Sequence, residues 1–125
     1  MAIDSLKGVR ILIVDDEKMI RETLATLLGM DGAVVSEASN GNQAYDMIQE
    51  FSYHVVLSDI RMPECSGVDF LNRVKREKIK IPPVLLMSAF TDISSERAKE
   101  LGARGMFIKD ENSKYLKEML LDIIE

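Results

Sequence analysis

The stretch "RILIVDDEK", Arg10 to Lys18, runs an apolar segment directly into two adjacent aspartates. Nearly continuous apolar residues are typical of a parallel strand that is covered on both faces. Carboxylates, in contrast, are among the most costly side chains to bury. Because neighbouring residues on a strand point to opposite faces, Asp15 and Asp16 cannot both turn to water by one tilt of the backbone. The stretch predicts a buried strand whose acidic end has a role other than packing.

Length and composition place the chain, residues 1–125, in one globular domain. Of its 125 residues, 46% are hydrophobic and 30% are charged, which suffices for a core without metal or disulfide support. The net charge of −5 and the lack of a Lys/Arg cluster argue against nucleic-acid binding. The single cysteine, Cys65, permits no internal disulfide and indicates a reducing cytoplasm. We expect neither a signal peptide nor a membrane helix, which needs about 20 apolar residues.

Short apolar runs alternate with longer amphipathic segments along the whole chain. Apolar residues recur at helical spacing in these segments, as Ala44, Met47, Ile48 and Phe51 do. Before the fourth helix, Thr91 or Asp92 is a suitable cap. This alternation predicts a parallel sheet with helices on both faces, and the more polar second strand is expected at an edge. The predicted strands are 9–14, 33–38, 54–59, 81–89 and 106–110.

Polar side chains interrupt the ends of four predicted strands. Asp15 and Asp16 end the first strand and Asp59 ends the third. Ser88 lies at the end of the fourth strand, and Lys109 lies at the end of the fifth. Because ligands in an open α/β sheet bind outside the carboxyl ends of the strands, we expect all five side chains to converge at one edge.

The three carboxylates define the chemistry that this edge can support. Each pair repels by about 4 kcal/mol at 4 Å and an effective dielectric near 20, so either their pKa values rise or a cation lies among them. Oxygen ligands without histidine or thiol suit Mg²⁺ or Mn²⁺. A metal, an ammonium and a hydroxyl around one carboxylate suit a phosphoryl group. Glycoside hydrolysis fits less well because it needs no metal, and the "GxxxxGK" loop of nucleotide hydrolases is absent.

Four motifs, "ILIVDDE", "VVLSDIRMP", "LLMSAF" and "MFIK", resemble in order and spacing the receiver domain of two-component response regulators. The resemblance covers essentially the whole chain and implies a flavodoxin-like receiver fold, a five-stranded parallel sheet of order 2-1-3-4-5. It implies phosphorelay signalling in which Asp59 accepts a phosphoryl group from a sensor histidine kinase or a histidine phosphotransfer protein. It further implies that the domain catalyses only its own phosphorylation and dephosphorylation, and we expect no separate output enzyme domain in this chain.

The resemblance also implies a role for each site residue. Mg²⁺ would be held by three carboxylates and one backbone carbonyl, those of Asp15, Asp16, Asp59 and Arg61. Ser88 would hydrogen-bond the phosphoryl group and Lys109 would pair with it, while Phe107 turns inward as Ser88 moves. The switching face would comprise the fourth helix, fifth strand and fifth helix, roughly residues 88–125. Its downstream target stays open, as does a phosphorylation-dependent homodimer through that face.

Some residues depart from the receiver pattern, and others have a structural interpretation. Asp110 follows the lysine where many receivers have proline, and its carboxylate would compete for the ammonium of Lys109. Arg61 and Phe90 are bulky, and our hypothesis is that they shield the phosphoryl group from water. We interpret Cys65 as an apolar filler, and His54, the only histidine, as a surface residue.

Two other functions are compatible with the same alternation of strands and helices. A receiver-like interaction module that works without phosphorylation would be indicated by loss of Asp59, the acidic pair or Lys109, and none of these is lost. A flavin-binding domain would need a Ser/Thr/Gly-rich phosphate loop after the first strand. The sequence "DDEKMI" at that position repels phosphate unless a cation intervenes.

Overall fold

The structure, a computed structural model, describes residues 5–62, 64–88, 94–109 and 113–124. Within these ranges five strands alternate with five helices, as the sequence predicts. Phe90, Thr91, Asp92 and Asp110 lie outside the described residues. The elements are β1 (Arg10–Val14), α1 (Lys18–Met30), β2 (Val34–Ala38), α2 (Gly41–Glu50), β3 (Val55–Asp59), α3 (Gly67–Arg76), β4 (Val84–Ser88), α4 (Ser95–Glu100), β5 (Gly105–Ile108) and α5 (Ser113–Ile124).

The five strands form one parallel sheet in the order β2-β1-β3-β4-β5, so the predicted topology is confirmed. β2 is an edge strand and is partly exposed, in agreement with its polar sequence. In the register Val14 lies opposite Ser58 of β3, and Asp59 lies opposite Met87 of β4. Ser88 in turn lies opposite Ile108 of β5. This register brings the carboxyl ends of the four strands β1, β3, β4 and β5 to one edge of the sheet.

The core consists of two apolar layers, one on each face of the sheet. Leu12 and Val14 belong to the layer under α2, α3 and α4. Ile11 and Ile13 belong to the other layer, which packs against α1 and α5. Alternate residues of β1 thus face opposite layers, which explains the nearly continuous apolar run of its sequence. Among the described residues no helix is both long and apolar enough to span a membrane.

Two local predictions are wrong. Phe51 does not continue the apolar stripe of α2, because the helix ends at Glu50 and the backbone of Phe51 is extended, with φ −124° and ψ 158°. Its side chain is consequently 56% exposed. The cap of α4 is Ser94, whose hydroxyl accepts the backbone N–H of Arg97, and not the predicted Thr91 or Asp92.

The loop after β3 folds back against the end of that strand. The Gly67 N–H donates to the carbonyl of Ile60 at 3.0 Å, and a Cβ at Gly67 would clash with the carbonyl oxygen of Asp59. Ser66 and Asp69 then form a capping box that begins α3. Glycine is required at position 67 by this close approach, which fixes the backbone on which Asp59 is carried.

Candidate functional site

Three aspartates meet at the carboxyl edge of the sheet. One carboxylate oxygen each of Asp15, Asp16 and Asp59 lies within 4.8 Å of the others. Asp15 has no exposed surface, Asp59 is 6% exposed, and Asp16 is exposed. Each follows or ends a buried strand, so the backbone of β1 and β3 positions the carboxylates.

Lys109 brings a positive charge to this acidic cluster. Its Nζ lies 2.8 Å from Asp15 Oδ2 and 3.2 Å from Asp59 Oδ2. The Lys109 N–H donates to the carbonyl of Ser88 at 2.7 Å, which anchors the residue directly after β5. Burial lowers the pKa of Lys109, but the contacts with Asp15 and Asp59 outweigh burial, so its pKa lies above the ordinary value.

Asp59 occupies an environment that disfavours its charged form. Burial and the neighbouring carboxylate of Asp15 raise the pKa of Asp59 above its ordinary value. The Lys109 ammonium and a hydrogen bond from the backbone N–H of Arg61 act in the opposite direction without cancelling the rise. Asp59 therefore carries a charge that a further cation would stabilise.

The donor set fits a hard divalent cation. Asp15 Oδ1 accepts the Glu17 N–H at 2.9 Å. Asp15 Oδ2 is buried and, within the part of the chain that the structure describes, accepts no well-directed hydrogen bond, although the Lys109 ammonium lies beside it as an ion pair. A set of oxygen ligands that includes such a buried carboxylate oxygen suits Mg²⁺. The ion would compete with the Lys109 ammonium for Asp15 Oδ2. Arg61 lies two residues beyond Asp59 with an exposed side chain, and the ligand role of its carbonyl stays a prediction.

The remaining residues singled out from the sequence lie at or away from this edge. Ser88 is buried at the end of β4, next to the strand that carries Asp59. Phe107 is buried in the core layer shared with α5. Cys65 is buried, and burial raises the pKa of its thiol, which fits the predicted apolar filler. His54 is exposed and its Nδ1 accepts the Arg10 N–H at 2.9 Å, away from the site.

Two polar residues near the site were missed by the sequence analysis. Arg21 donates from Nη1 to the carbonyl of Asp15 at 2.7 Å, and Ser58, fully buried, donates from Oγ to the carbonyl of Asp59 at 3.0 Å. The signal for Arg21 is its place near the start of α1, where the helix dipole disfavours a cation. Ser58 gave no signal, because one serine in an apolar strand is common.

An apolar groove opens beside the site, between α1 and α5. Its volume is about 390 Å³, and its lining includes Met19, Leu24, Phe107, Lys109 and Leu116. Met19, at the start of α1, is 79% exposed. Since Lys109 lines the groove and also contacts Asp59, the groove leads from an apolar surface to the acidic cluster.

A sequence model described as "Response regulator receiver domain" matches residues 11–121. The chain belongs to this receiver family. Among curated proteins, the transcriptional regulatory protein YdfI of Bacillus subtilis (strain 168) is 34% identical over 109 residues, covering 86% of this chain and 51% of YdfI. The regulatory protein AtoC of Escherichia coli (strain K12) is 37% identical over 101 residues, covering 80% of this chain and 22% of AtoC. This receiver domain spans about half or less of the length of both relatives.

Solved structures agree with this assignment. The response regulator TrrA from Thermotoga maritima, solved in complex with Mg²⁺–BeF, is 32% identical to this receiver domain, with a TM-score of 0.82. The match covers 92% of this chain and 98% of TrrA. The predicted family and fold are thus confirmed. Phosphorylation and Mg²⁺ binding are typical of the family, and the oxygen donors of Asp15, Asp16 and Asp59 fit that metal.

Proposed function

We propose that this receiver domain accepts a phosphoryl group on Asp59 from a sensor histidine kinase or a histidine phosphotransfer protein. The observation that carries the proposal is the position of Asp59 at the carboxyl edge of the sheet, beside the carboxylate of Asp15 and 3.2 Å from the Lys109 ammonium. A buried carboxylate with a raised pKa is a poor structural residue. It is well placed as a nucleophile whose surroundings neutralise charge during phosphoryl transfer.

In the proposed step, a carboxylate oxygen of Asp59 forms a bond to phosphorus while the P–N bond of the donor's phosphohistidine breaks. The donor nitrogen keeps the electron pair and takes up a proton. Lys109 shifts its ammonium from the carboxylates to a phosphoryl oxygen, and the Ser88 hydroxyl donates to another. Asp15, Asp16, Asp59 and the Arg61 carbonyl would hold Mg²⁺ or Mn²⁺, and the ion would supply positive charge to the phosphoryl oxygens when bound.

The groove between α1 and α5 supports a helical donor. Its lining is apolar apart from the ammonium of Lys109 and the hydroxyl of Thr23, and Met19 presents a largely exposed apolar side chain at its rim. An amphipathic donor helix could bury that surface and place its phosphohistidine next to Lys109. We propose this groove as the place where the phosphodonor docks.

For the output we propose that Ser88 and Phe107 switch the face formed by α4, β5 and α5. Phe107 lies in the same layer as Leu116 of α5, so a change of its side chain would reach that helix. We likewise propose that this face contacts the downstream target or output domain and supports a phosphorylation-dependent homodimer. The cytoplasmic location indicated by the cysteine count stays a prediction, as does the extent of the domain over residues 1–125.

The lifetime of the acyl phosphate is proposed to depend on the residues two positions beyond Asp59 and Ser88. Arg61 has an exposed side chain beside the acceptor, where it would screen the phosphoryl group from water. We propose the same role for Phe90, two positions beyond Ser88. Alanine at both positions is expected to speed dephosphorylation of the purified domain, and an unchanged rate would contradict this role.

The function is tested by incubating the domain with Mg²⁺ and acetyl phosphate and measuring its intact mass. We expect a gain of one phosphoryl group that Asp59→Asn abolishes and that a metal chelator prevents. Asp46→Asn, which changes an exposed aspartate of α2, is the matched control and should retain the gain. No gain with the unaltered domain would favour the receiver-like interaction module that works without phosphorylation.

A further inference from the structure

Arg21 connects α1 to the end of β1 and to β2. Its Nη1 donates to the backbone carbonyl of Asp15 at 2.7 Å, and its Nε lies 3.3 Å from Glu37 Oε1 on β2. The side chain is only 16% exposed, although it belongs to a surface helix. One rigid guanidinium therefore joins two strands through two different nitrogens, a geometry that a lysine cannot reproduce.

The turn at residues 15–17 is held by hydrogen bonds on three sides. The Asp15 N–H donates to the carbonyl of Ala38 at 3.1 Å, and Asp15 Oδ1 accepts the Glu17 N–H at 2.9 Å. The carbonyl of Asp15 is held by Arg21. Glu17, the N-cap of α1, makes no side-chain cap hydrogen bond, so the helix start lacks the usual local brace.

Asp16 depends on this turn more than its two acidic neighbours do. It is exposed and lies beyond the last residue of β1, yet one of its carboxylate oxygens lies within 4.8 Å of those of Asp15 and Asp59. The peptide between Asp15 and Asp16 determines in which direction the Asp16 side chain leaves the backbone. Arg21 binds the oxygen of that peptide.

If Arg21 acted only through its charge, it would weaken the binding of a metal ion at the acidic cluster. A cation beside three carboxylates would repel Mg²⁺, and a cation in the first turns of a helix is disfavoured by the dipole. Glu37 offsets this charge at 3.3 Å. The paired and hydrogen-bonded guanidinium thus has a geometric effect that can be separated from its charge.

We propose that Arg21 is a positioning residue of the acidic site: by fixing the Asp15–Asp16 peptide it aims the Asp16 carboxylate at the metal. The inference deepens the proposed function, on which its metal part rests. Partners that orient metal ligands typically change metal affinity by about 10-fold or more when they are removed. We expect an effect of that size from Arg21.

The test compares Arg21→Met, which keeps the apolar stem, with Arg21→Lys, which keeps the charge. Mg²⁺ affinity is measured by calorimetry, without any phosphodonor. We expect the dissociation constant to rise roughly tenfold in Arg21→Met and by a smaller factor in Arg21→Lys. Lys18→Met, which removes an exposed cation of the same helix, should not raise it.

A second readout needs no metal. Hydrogen exchange of the Glu17 amide, measured by NMR in metal-free buffer, should become roughly tenfold faster in Arg21→Met, because a charged hydrogen bond that braces its turn is lost. The amide should exchange at the original rate in Lys18→Met. Far-UV circular dichroism establishes that the variants are folded, and if Arg21→Met is not, Arg21→Lys decides the test.

The proposal requires both effects. Equal or tighter Mg²⁺ binding in Arg21→Met would overturn it in favour of an electrostatic role, and unchanged Glu17 exchange would overturn it as well. If the unaltered domain bound no Mg²⁺, the proposed function would fail instead. The exchange measurement alone would then decide whether Arg21 fixes the turn.

Discussion

Two lysine–aspartate contacts at opposite ends of α1 show how the same residue types serve different purposes. At the carboxyl edge of the sheet, Lys109 lies between Asp15 and Asp59, and all three side chains are buried or nearly so. Where α1 ends, Lys117 Nζ lies 3.0 Å from Asp31 Oδ1, with the two side chains 33% and 27% exposed. At the first contact two carboxylates share one ammonium, whereas at the second one carboxylate pairs with one ammonium.

The pKa shifts of the two aspartates run in opposite directions. Burial raises the pKa of Asp31, but the Lys117 ammonium and the Leu6 N–H, 2.7 Å from Oδ2, outweigh it, so the pKa falls below 3.8. For Asp59, burial and the charge of Asp15 outweigh Lys109, so the pKa rises above 3.8. The Asp31 pair is complete, whereas the site at Asp59 retains negative charge that favours a further cation.

Among the substitutions that test this comparison, removal of Lys109 should change the free energy of unfolding most. In Lys109→Met two buried carboxylates lose their counter-charge, and we expect the free energy of unfolding at pH 7 to fall by about 3 kcal/mol. Urea denaturation measures the loss. Under the proposed function Mg²⁺ binds the folded state, so adding it should recover part of the stability.

The pH dependence of Lys109→Met provides an internal check. Asp59 titrates in the folded state above 3.8, so lowering the pH through that raised pKa neutralises one uncompensated carboxylate and shrinks the loss. In the unaltered domain the contribution of Lys109 is full below pH 10.5 and is lost as the pH rises through its raised pKa. A loss in Lys109→Met that is the same at pH 7 and at the raised pKa of Asp59 would contradict the description of the site.

A smaller effect with the opposite sign is expected for Asp59→Asn. Because the folded state binds a proton at Asp59 more readily than the unfolded state does, the charged carboxylate costs stability above the folded pKa. Asparagine should therefore raise the free energy of unfolding by about 1 kcal/mol at pH 7 without Mg²⁺, as measured by thermal denaturation. The gain should shrink as the pH falls through the raised pKa toward 3.8.

The matched control for this gain is Asp46→Asn, at an exposed position of α2. It should leave stability nearly unchanged across the same pH range, since surface substitutions usually have small effects. An equal gain in both variants would show that overall net charge, and not the site, is responsible. Destabilisation by Asp59→Asn at pH 7 would mean that the contact with Lys109 outweighs the burial of the carboxylate.

Much of this site could be predicted from the sequence because its charged side chains lie at the ends of apolar strands. An aspartate that follows the four apolar residues of β1, or that ends the fully buried β3, conflicts with burial and is therefore recognisable as a candidate site residue. Lys109 was found in the same way. The register of a parallel sheet places these carboxyl ends at one edge, so their convergence does not depend on the conformation of the loops.

Other features depend on the tertiary structure and leave only a weak signal in the sequence. A polar residue at the flank of an amphipathic helix, such as Arg21, reads as part of a solvated face, and only the position of β2 shows that it is largely covered. Phe51 fits the periodicity of α2 but lies one residue past its end. The contact of Lys109 with Asp15, as well as with Asp59, reaches from the end of β5 to the end of β1, and strand order alone does not predict it.

The smallest effect is expected at the other end of the comparison, in Lys117→Met. A partly exposed pair contributes little, and we expect a loss of about 0.5 kcal/mol at pH 7, measured by urea denaturation. The loss should shrink in 1 M NaCl, which screens exposed charges strongly. Because the folded pKa of Asp31 is lowered, the contribution is full above 3.8 and disappears as the pH falls through that pKa.

Mg²⁺ should not restore the stability lost in Lys117→Met, in contrast to Lys109→Met, since a complete pair leaves no negative charge for a cation. Equal rescue of both variants would remove the distinction between the two regions.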